Sequence, residues 1–391
     1  MASCPSFYDR HVTSIADLQR EATKKLQPMY RDYYNDGATE MTSLRDNVAA
    51  YDRYKIRPRV LVKIPEIDTS TTILGSKVTF PLGFSPTALH RLAHPDGEVA
   101  TSRAAANMGL CMGLSTYANT SLEDVAAQGT GQNPYAIQLT IPKERGIAVQ
   151  MIRRAEAAGY KAIFLTVDCP VLGIRRSDYR HDFVIPEGIS YPNLTSDPSK
   201  PYGMGEDNPD IEYGMYTPVL GVAVRNLTRN TDNDLDWSEA IGWLRSLTKM
   251  EIWVKGIYTP EDTVLAIKHG VDGIIISNHG GRQLDGVPAT LDVLRECAPI
   301  AAGKVPIAID GGIRRGADIF KALALGAKHC FVGRVPIWGL AYNGQEGVEM
   351  AAKILLHEFR VTMALAGCKN IQEISRAHLA IVDSHGVISK L

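Results

Sequence analysis

A chain of 391 residues that is 45% hydrophobic and 22% charged, with a formal net charge of −1, has the composition of a globular protein and no electrostatic bias toward nucleic acid or an anionic membrane surface. No run approaches the ~18 apolar residues of a membrane span, and Met1-Ala2-Ser3-Cys4-Pro5-Ser6 lacks the basic start and apolar core of a secretory signal. The six cysteines, Cys4, Cys111, Cys169, Cys297, Cys330 and Cys368, are far apart, with neither a C-x-x-C pair nor zinc spacing, so free thiols in a reducing compartment are expected and no metal site is.

Taken from the amino terminus, residues 14–36 read as one helix, with Leu18, Ala22, Leu26, Met29, Tyr30, Tyr33 and Tyr34 at helical spacing and Gly37 as its stop. The tyrosine pair either packs on the domain below or points a phenol into a cleft. Residues 44–79, with several Pro and Thr, read as connecting structure whose short strands cover one end of the domain that begins near residue 80.

From residue 80 apolar, strand-like runs alternate with helices. The candidate strands are 80–85, 110–114, 135–139, 162–167, 252–255, 273–277, 306–309 and 329–332. Thr259-Pro260-Glu261-Asp262 supplies an N-cap, a proline at N1 and first-turn acids, and the helix opening at Gly316 closes at Gly326. Eight strands separated by helices predict an α/β chain folded as a (β/α)8 TIM barrel over about 80–365, after an N-terminal helical segment within 1–79 and before a tail over 370–391. An open doubly wound sheet is the other candidate, but no G-x-G-x-x-G follows the first strand. The fourth and fifth strands are separated by a long insertion, about 169–235, rich in Pro, Gly, Asn and Asp, which reads as a partly mobile lid over the carboxyl ends of the strands.

The densest chemistry comes after the sixth strand, in Ser277-Asn278-His279-Gly280-Gly281-Arg282-Gln283-Leu284-Asp285. A lone histidine is usually a core residue satisfied by a carbonyl. Here a permanently charged guanidinium follows across two glycines, which suits a proton-abstracting base beside an anion holder. The other strand ends carry polar residues too: Pro86-Thr87-Ala88, Ser115-Thr116-Tyr117, Gln138-Leu139-Thr140, Thr166-Val167-Asp168, Lys255, Asp310-Gly311-Gly312 and Gly333-Arg334. They predict a single mouth wide enough for a ring-shaped cofactor and a small substrate. Asp310-Gly311-Gly312-Ile313-Arg314 and Gly333-Arg334 stand after strands seven and eight, where barrels hold a phosphate on backbone N–H groups; a cofactor with a single phosphate fits better than a dinucleotide.

The motif around His279, together with Leu165-Thr166-Val167-Asp168, Val254-Lys255-Gly256, Asp310-Gly311-Gly312-Ile313-Arg314-Arg315-Gly316 and Phe320-Lys321-Ala322-Leu323-Ala324-Leu325-Gly326-Ala327, resembles the FMN-dependent 2-hydroxy acid oxidases and dehydrogenases over about residues 10–380. With no haem-binding domain expected before the barrel, the soluble glycolate oxidase type is the nearer likeness. The resemblance implies FMN as cofactor and oxidation of a 2-hydroxy acid, with O2 as acceptor and H2O2 as product. It implies His279 as the base and Asp168 as the carboxylate that supports the imidazolium. Arg175 and Arg282 would clamp the substrate carboxylate, with Tyr33 beside it, and Lys255 would stand near flavin N1. Pro86, Thr87, Ala88, Ser115, Gln138, Thr166 and Ser277 would contact the flavin ring and ribityl chain, and Asp310, Gly311, Gly312, Arg314, Gly333 and Arg334 the phosphate.

Three departures separate the chain from glycolate oxidases. Thr140 stands where they have a second active-site tyrosine, Tyr117 where they have a tryptophan, and Arg176 where a glutamate follows the first clamp arginine. A retained flavin and base with an altered substrate pocket is the expectation, so a larger hydroxy acid or another electron acceptor is the alternative. The resemblance also implies a homo-tetramer, for which Val348, Met350, Ile354 and Leu355 offer a helix face that barrel packing would explain equally well. The terminal Ser389-Lys390-Leu391 has the form of a peroxisomal address.

Overall fold

The computed structural model describes residues 8–181, 183–194, 232, 235–382 and 385–391. Eight strands form a closed, all-parallel barrel: β1 Leu82–Phe84, β2 Cys111–Leu114, β3 Tyr135–Leu139, β4 Ala162–Thr166, β5 Glu251–Ile257, β6 Gly273–Ile276, β7 Ile307–Ile309 and β8 His329–Val332. Each pairs with its neighbours in sequence, and β8 pairs with β1 through Cys330↔Leu82 and Val332↔Phe84, which excludes the open sheet. All eight coincide with the strands expected from apolar runs, because parallel strands covered by helices outside and side chains inside are buried on both faces.

Ala136, Ala162, Phe164, Trp253, Ile275, Ala308 and Phe331 fill the barrel interior. Ile73, Leu74 and Val78 belong to the same cluster, so the antiparallel hairpin Thr71–Ile73/Ser76–Val78 closes one end of the barrel. Small and large residues alternate inside: a Cβ on Gly273 would lie 2.2 Å from the Trp253 ring, so the glycine is what admits the indole.

The amino-terminal segment departs from the single helix expected over 14–36. It forms α1 (Ile15–Lys25) and α2 (Pro28–Asn35), with Leu26 and Gln27 extended at ψ 141° and 145°. Pro28 is the cause, since a proline forces the preceding residue out of the helical region and then starts a new helix at N1. A third helix, α3 (Thr42–Arg53), occupies part of the stretch read as connecting structure. Its own N-cap position, Met41, makes no side-chain cap and has φ 58°. The cap comes instead from Asp285, whose carboxylate accepts from Ser43 N at 2.8 Å, Glu40 N at 3.1 Å, Thr42 N at 3.2 Å and Thr39 Oγ1 at 2.7 Å.

The last long helix runs from Arg334 to Ala366, bent where Asn343 and Gly344 leave helical geometry. Val348, Met350, Ile354 and Leu355 lie on it at 0%, 9%, 0% and 0% exposure, so they pack the barrel and offer no free face for a partner. The chain then forms a small sheet of Tyr54–Ile56, Leu379–Val382 and Ile388–Lys390. Among the described residues no helix is long and apolar enough to cross a membrane. Of the insertion, residues 195–231 lie outside the described residues. The described part carries a short helix, Arg176–His181, and packs on α2: His181 Nε2 lies 2.7 Å from Asp32 Oδ2, and the Phe183 ring centroid is 4.8 Å from that of Tyr33.

Candidate active site

All eight strand ends open on one cavity. Its wall takes Ser85 to Ala88 after β1, Ser115 and Tyr117 after β2, Gln138 and Thr140 at β3, Thr166 at the end of β4 and Cys169 after it, and Lys255 from β5. Past β6 come His279, Gly280 and Arg282, past β7 Asp310 to Arg314, and past β8 Gly333 and Arg334; Tyr33, Tyr34 and Arg175 complete the wall. Every site residue expected from sequence is there except Asp168 and Ser277, which stand directly behind it.

Asp168 Oδ1 lies 3.1 Å from His279 Nδ1. A carboxylate accepts, so Nδ1 carries the imidazole proton and Nε2 is the basic nitrogen. His279 adopts φ 56°, and Gly280 and Gly281 follow at 63° and 74°. This left-handed turn is costly for a side chain and is held from both sides. His279 N donates to Ser277 Oγ at 3.1 Å, Gly281 N donates to Asn278 Oδ1 at 3.1 Å, and a Cβ on Gly281 would sit 2.6 Å from Leu44 N of α3. Burial pushes the His279 pKa below the ordinary imidazole value; Asp168 opposes the shift, while the Lys255 and Arg175 charges reinforce it. Burial alone would raise Asp168, but the charge and hydrogen bond of His279, with Lys255 behind, hold its carboxyl below the usual range. The pair at rest is therefore a neutral imidazole on an ionised carboxylate.

Behind it runs a buried polar chain. Lys255 Nζ donates to Ser277 Oγ at 3.0 Å and lies 3.4 Å from Asp310 Oδ2, which also accepts from Ser85 Oγ at 2.9 Å. Burial works against the Lys255 charge, but Asp310 and Asp168 outweigh it and hold the ammonium above its ordinary pKa. Gln138 spans three strands: its Oε1 accepts from Thr116 N at 3.1 Å, and its Nε2 donates to Thr140 Oγ1 at 3.1 Å and Thr166 Oγ1 at 3.2 Å.

Four arginines line the cavity, and two of them, Arg282 and Arg334, share the Asp36 carbonyl. Arg282 donates to the carbonyls of Tyr33 and Asp36 with its guanidinium 4.9 Å from the Tyr33 ring centroid, and Arg175 is 8% exposed. Arg334 donates to the carbonyls of Tyr34, Gly280 and Asp36 at 2.7, 2.9 and 3.0 Å, and Arg314 lies 4.8 Å from the Trp338 ring centroid. Burial lowers Arg282 to about 10, with Arg175 adding to the shift; burial likewise lowers Arg314 to about 10. Arg334 is lowered furthest, by burial and by Arg282 and Arg314 together. Arg282 and Arg334 bond carbonyl oxygens, and among the described residues neither forms an ion pair with a carboxylate; Asp178 and Asp36 bear on them as nearby charges, and the remaining donors are open to the anions of a ligand.

Those anions define what fits. Gly311 and Gly312, at φ 98° and 79°, bring backbone to the wall beside Arg314, and a Cβ on Gly312 would overlap Asn47 O at 1.9 Å. Asp310 Oδ1 is buried without a hydrogen-bond partner among the described residues, an acceptor waiting for a hydroxyl. A flat, hydroxylated group ending in one phosphate meets these demands, with room left at the Arg175–Arg282 pair for a small carboxylate.

The remaining motif residues are scaffold. Gln283 ties the loop after β4 to the loop after β6: its Oε1 accepts from Gly173 N at 3.1 Å, and its Nε2 donates to Asp168 O at 3.0 Å and Val171 O at 2.8 Å. Asn278 and Asn47 of α3 exchange amide hydrogen bonds at 2.8 and 2.9 Å. Arg176, expected to add charge near the insertion, is paired at the surface with Glu40. Sequence reasoning missed Cys169, which lies in the cavity wall beside His279; its adjacency to Asp168 was the available signal.

The chain belongs to the FMN-dependent dehydrogenase family, whose model matches residues 22–381, and FMN is its cofactor. Within that family it is similar to the oxidase FUB9 of Fusarium oxysporum f. sp. lycopersici, at 51% identity over 97% of this chain and 94% of the relative. It is also 43% identical to glycolate oxidase of Spinacia oleracea, over 94% of this chain and 96% of the other. A solved mandelate oxidase with (S)-4-hydroxymandelic acid superposes at a TM-score of 0.84 with 33% identity, covering 95% of this chain and 99% of that one.

Proposed function

We propose that the chain oxidises an (S)-2-hydroxy acid to the 2-oxo acid, with O2 taking the two electrons and two protons as H2O2. The observation that carries this reading is the neutral imidazole, backed by an ionised carboxylate, in one cavity with four arginines that form no ion pair with a carboxylate among the described residues. FMN supplies a two-electron acceptor when bound. Arg175 and Arg282 hold the substrate carboxylate through fork-shaped donors, with Tyr33 at its edge. His279 Nε2 takes the proton as the 2-carbon is oxidised, and Asp168 stabilises the imidazolium that results. Lys255, Ser277, Gln138, Thr166, Ser115 and Pro86 to Ala88 hold the ring and ribityl chain. Asp310 to Arg314 with Gly333 and Arg334 hold the phosphate.

A second reading keeps this chemistry and enlarges the substrate. Thr140 and Tyr117 favour it, since a threonine leaves room where glycolate oxidases place a phenol. The test is the visible spectrum of the holoenzyme, mixed anaerobically with short, long and aromatic 2-hydroxy acids. Bleaching by any of them followed by rapid recovery in air supports an oxidase, and bleaching by glycolate or lactate removes the case for a larger substrate. Bleached enzyme that persists in air points to a protein or other acceptor instead of O2.

Peroxisomal residence, which a peroxide-forming enzyme would suit, rests on Ser389-Lys390-Leu391 and is tested by following a fluorescent fusion with and without that tripeptide. Homo-tetramer formation is favoured by an apolar surface at Val60, Leu61 and Leu365, exposed by 82%, 103% and 72% on segments joined where Arg59 N donates to Ala366 O. A monomer by equilibrium sedimentation would remove it.

A further inference from the structure

Cys169 has no part in the reaction proposed above, yet its thiol touches both groups on which that reaction turns. Sγ lies 3.3 Å from Asp168 Oδ1 and 3.3 Å from His279 Nδ1, and those two atoms are 3.1 Å apart. Sulfur, oxygen and nitrogen thus form a compact triangle, from residues 110 positions apart in sequence. The other carboxylate oxygen, Asp168 Oδ2, is buried and accepts no hydrogen bond among the described residues. Cys169 and His279 both face the cavity, so the triangle is reached from solvent through it.

Zinc bonds cysteine sulfur at about 2.3 Å, histidine nitrogen at about 2.0–2.1 Å and carboxylate oxygen at about 2.0–2.2 Å, and tetrahedral angles then set the ligand atoms roughly 3.4–3.6 Å apart. Each edge of the observed triangle would open by only a few tenths of an ångström, which side-chain torsions supply. An ion bonded to all three would stand about 0.7 Å out of their plane, with a fourth position left for water.

We propose that Asp168, Cys169 and His279 form an inhibitory site for a soft divalent cation such as Zn2+ or Cd2+; the inhibition rests on His279 being the base. On binding, the thiol releases its proton to solvent and the metal takes Nδ1, so the imidazole proton moves to Nε2. The lone pair that would accept the substrate's proton is gone, while the Arg175–Arg282 clamp is untouched. With one sulfur, one imidazole nitrogen and a single carboxylate oxygen, the ligand set selects soft ions over Mg2+ or Ca2+, which take oxygen ligands.

The test titrates FMN-loaded enzyme and its Cys169→Ser variant with Cd2+, following the ultraviolet sulfur-to-cadmium charge-transfer band and, separately, turnover of whichever 2-hydroxy acid bleaches the flavin. The expected result is a chelator-reversible band absent from the variant, with kcat falling at constant KM and at least about tenfold more Cd2+ needed to inhibit the variant. A band of equal size in both proteins, or no band in either, overturns the site. Inhibition that raises KM alone means that the ion only sequesters or excludes the hydroxy acid, and also overturns it. A Cys169-dependent band with unchanged turnover removes the inhibition and, with it, the assignment of His279 as base, so the two failures are told apart.

Discussion

Around His279 the cavity wall is backbone pressed on backbone, whereas around Thr140 it is side chain resting on side chain. A Cβ on Gly173 would lie 2.4 Å from Arg282 O, one on Gly256 2.7 Å from the Asp168 Cβ, and one on Gly37 2.7 Å from Gly281 O. No residue larger than glycine enters there without moving a loop that carries a charged group. Across the cavity, Tyr117 meets Tyr191 edge to face at 6.1 Å and Thr140 accepts one amide hydrogen bond from Gln138. Those contacts tolerate exchange, because each is one side chain deep. The chemistry proposed above is thus lodged where the backbone is crowded, and the proposed choice of substrate where it is not.

The contrast is tested most severely at the buried pair. Asp168→Asn keeps the shape but removes the charge, and its amide competes for the wrong imidazole tautomer. The rate of flavin reduction is expected to fall about 10⁴-fold with FMN still bound, as read by anaerobic stopped flow; a loss under tenfold would break the assignment. Arg282→Lys keeps charge and loses the fork, and KM for the hydroxy acid should rise with a cost of about 1.5–3 kcal/mol. On the tolerant wall, Thr140→Tyr should leave FMN binding intact and shift the kcat/KM ratio of short to bulky acids by about 10–100-fold, roughly 1–3 kcal/mol. An unchanged ratio would mean that this wall does not select the substrate.

A smaller effect sharpens the scaffold side. Asp285→Asn weakens the cap on α3 and should cost about 1 kcal/mol in denaturant unfolding at neutral pH. Hydrogen bonds from Ser43 and Thr39 outweigh the desolvation that would raise the Asp285 carboxyl, and hold it below its unfolded value. Its contribution is therefore full above about pH 4 and is lost as pH falls further, so the gap between wild type and variant should close in acid. The smallest effect is on the pH profile. His279 must be neutral to act, and burial lowers its pKa, so kcat/KM should fall on the acid side at a pH below the ordinary imidazole value of about 6.5.

The barrel was legible because its strands are apolar runs with polar residues gathered at one end, and the signals at Thr259 and Gly326 are local: Thr259 Oγ1 accepts from Asp262 N at 3.1 Å, and Gly326 closes its helix at φ 118°. What sequence reading lost depends on distant partners. Helix α3 is capped by Asp285 from the far side of the chain, and the strand Tyr54–Ile56 finds its partner only at Leu379–Ile381. The break at Leu26–Gln27 was local, and Pro28 announced it. Within the site, the charged residues stood out by type and position. Gln283 and Asn278 were quoted in the motif without a role, because each works by joining two loops that the sequence does not show to be neighbours.

The most direct test of the account is anaerobic rapid mixing of a 2-hydroxy acid that bleaches the wild-type flavin with the FMN-loaded His279→Gln variant. The variant should be as yellow as wild type, bind the acid, and keep its colour over the time in which wild type is fully bleached. Bleaching of the variant at the wild-type rate would contradict the claim that imidazole 279 accepts the substrate's proton.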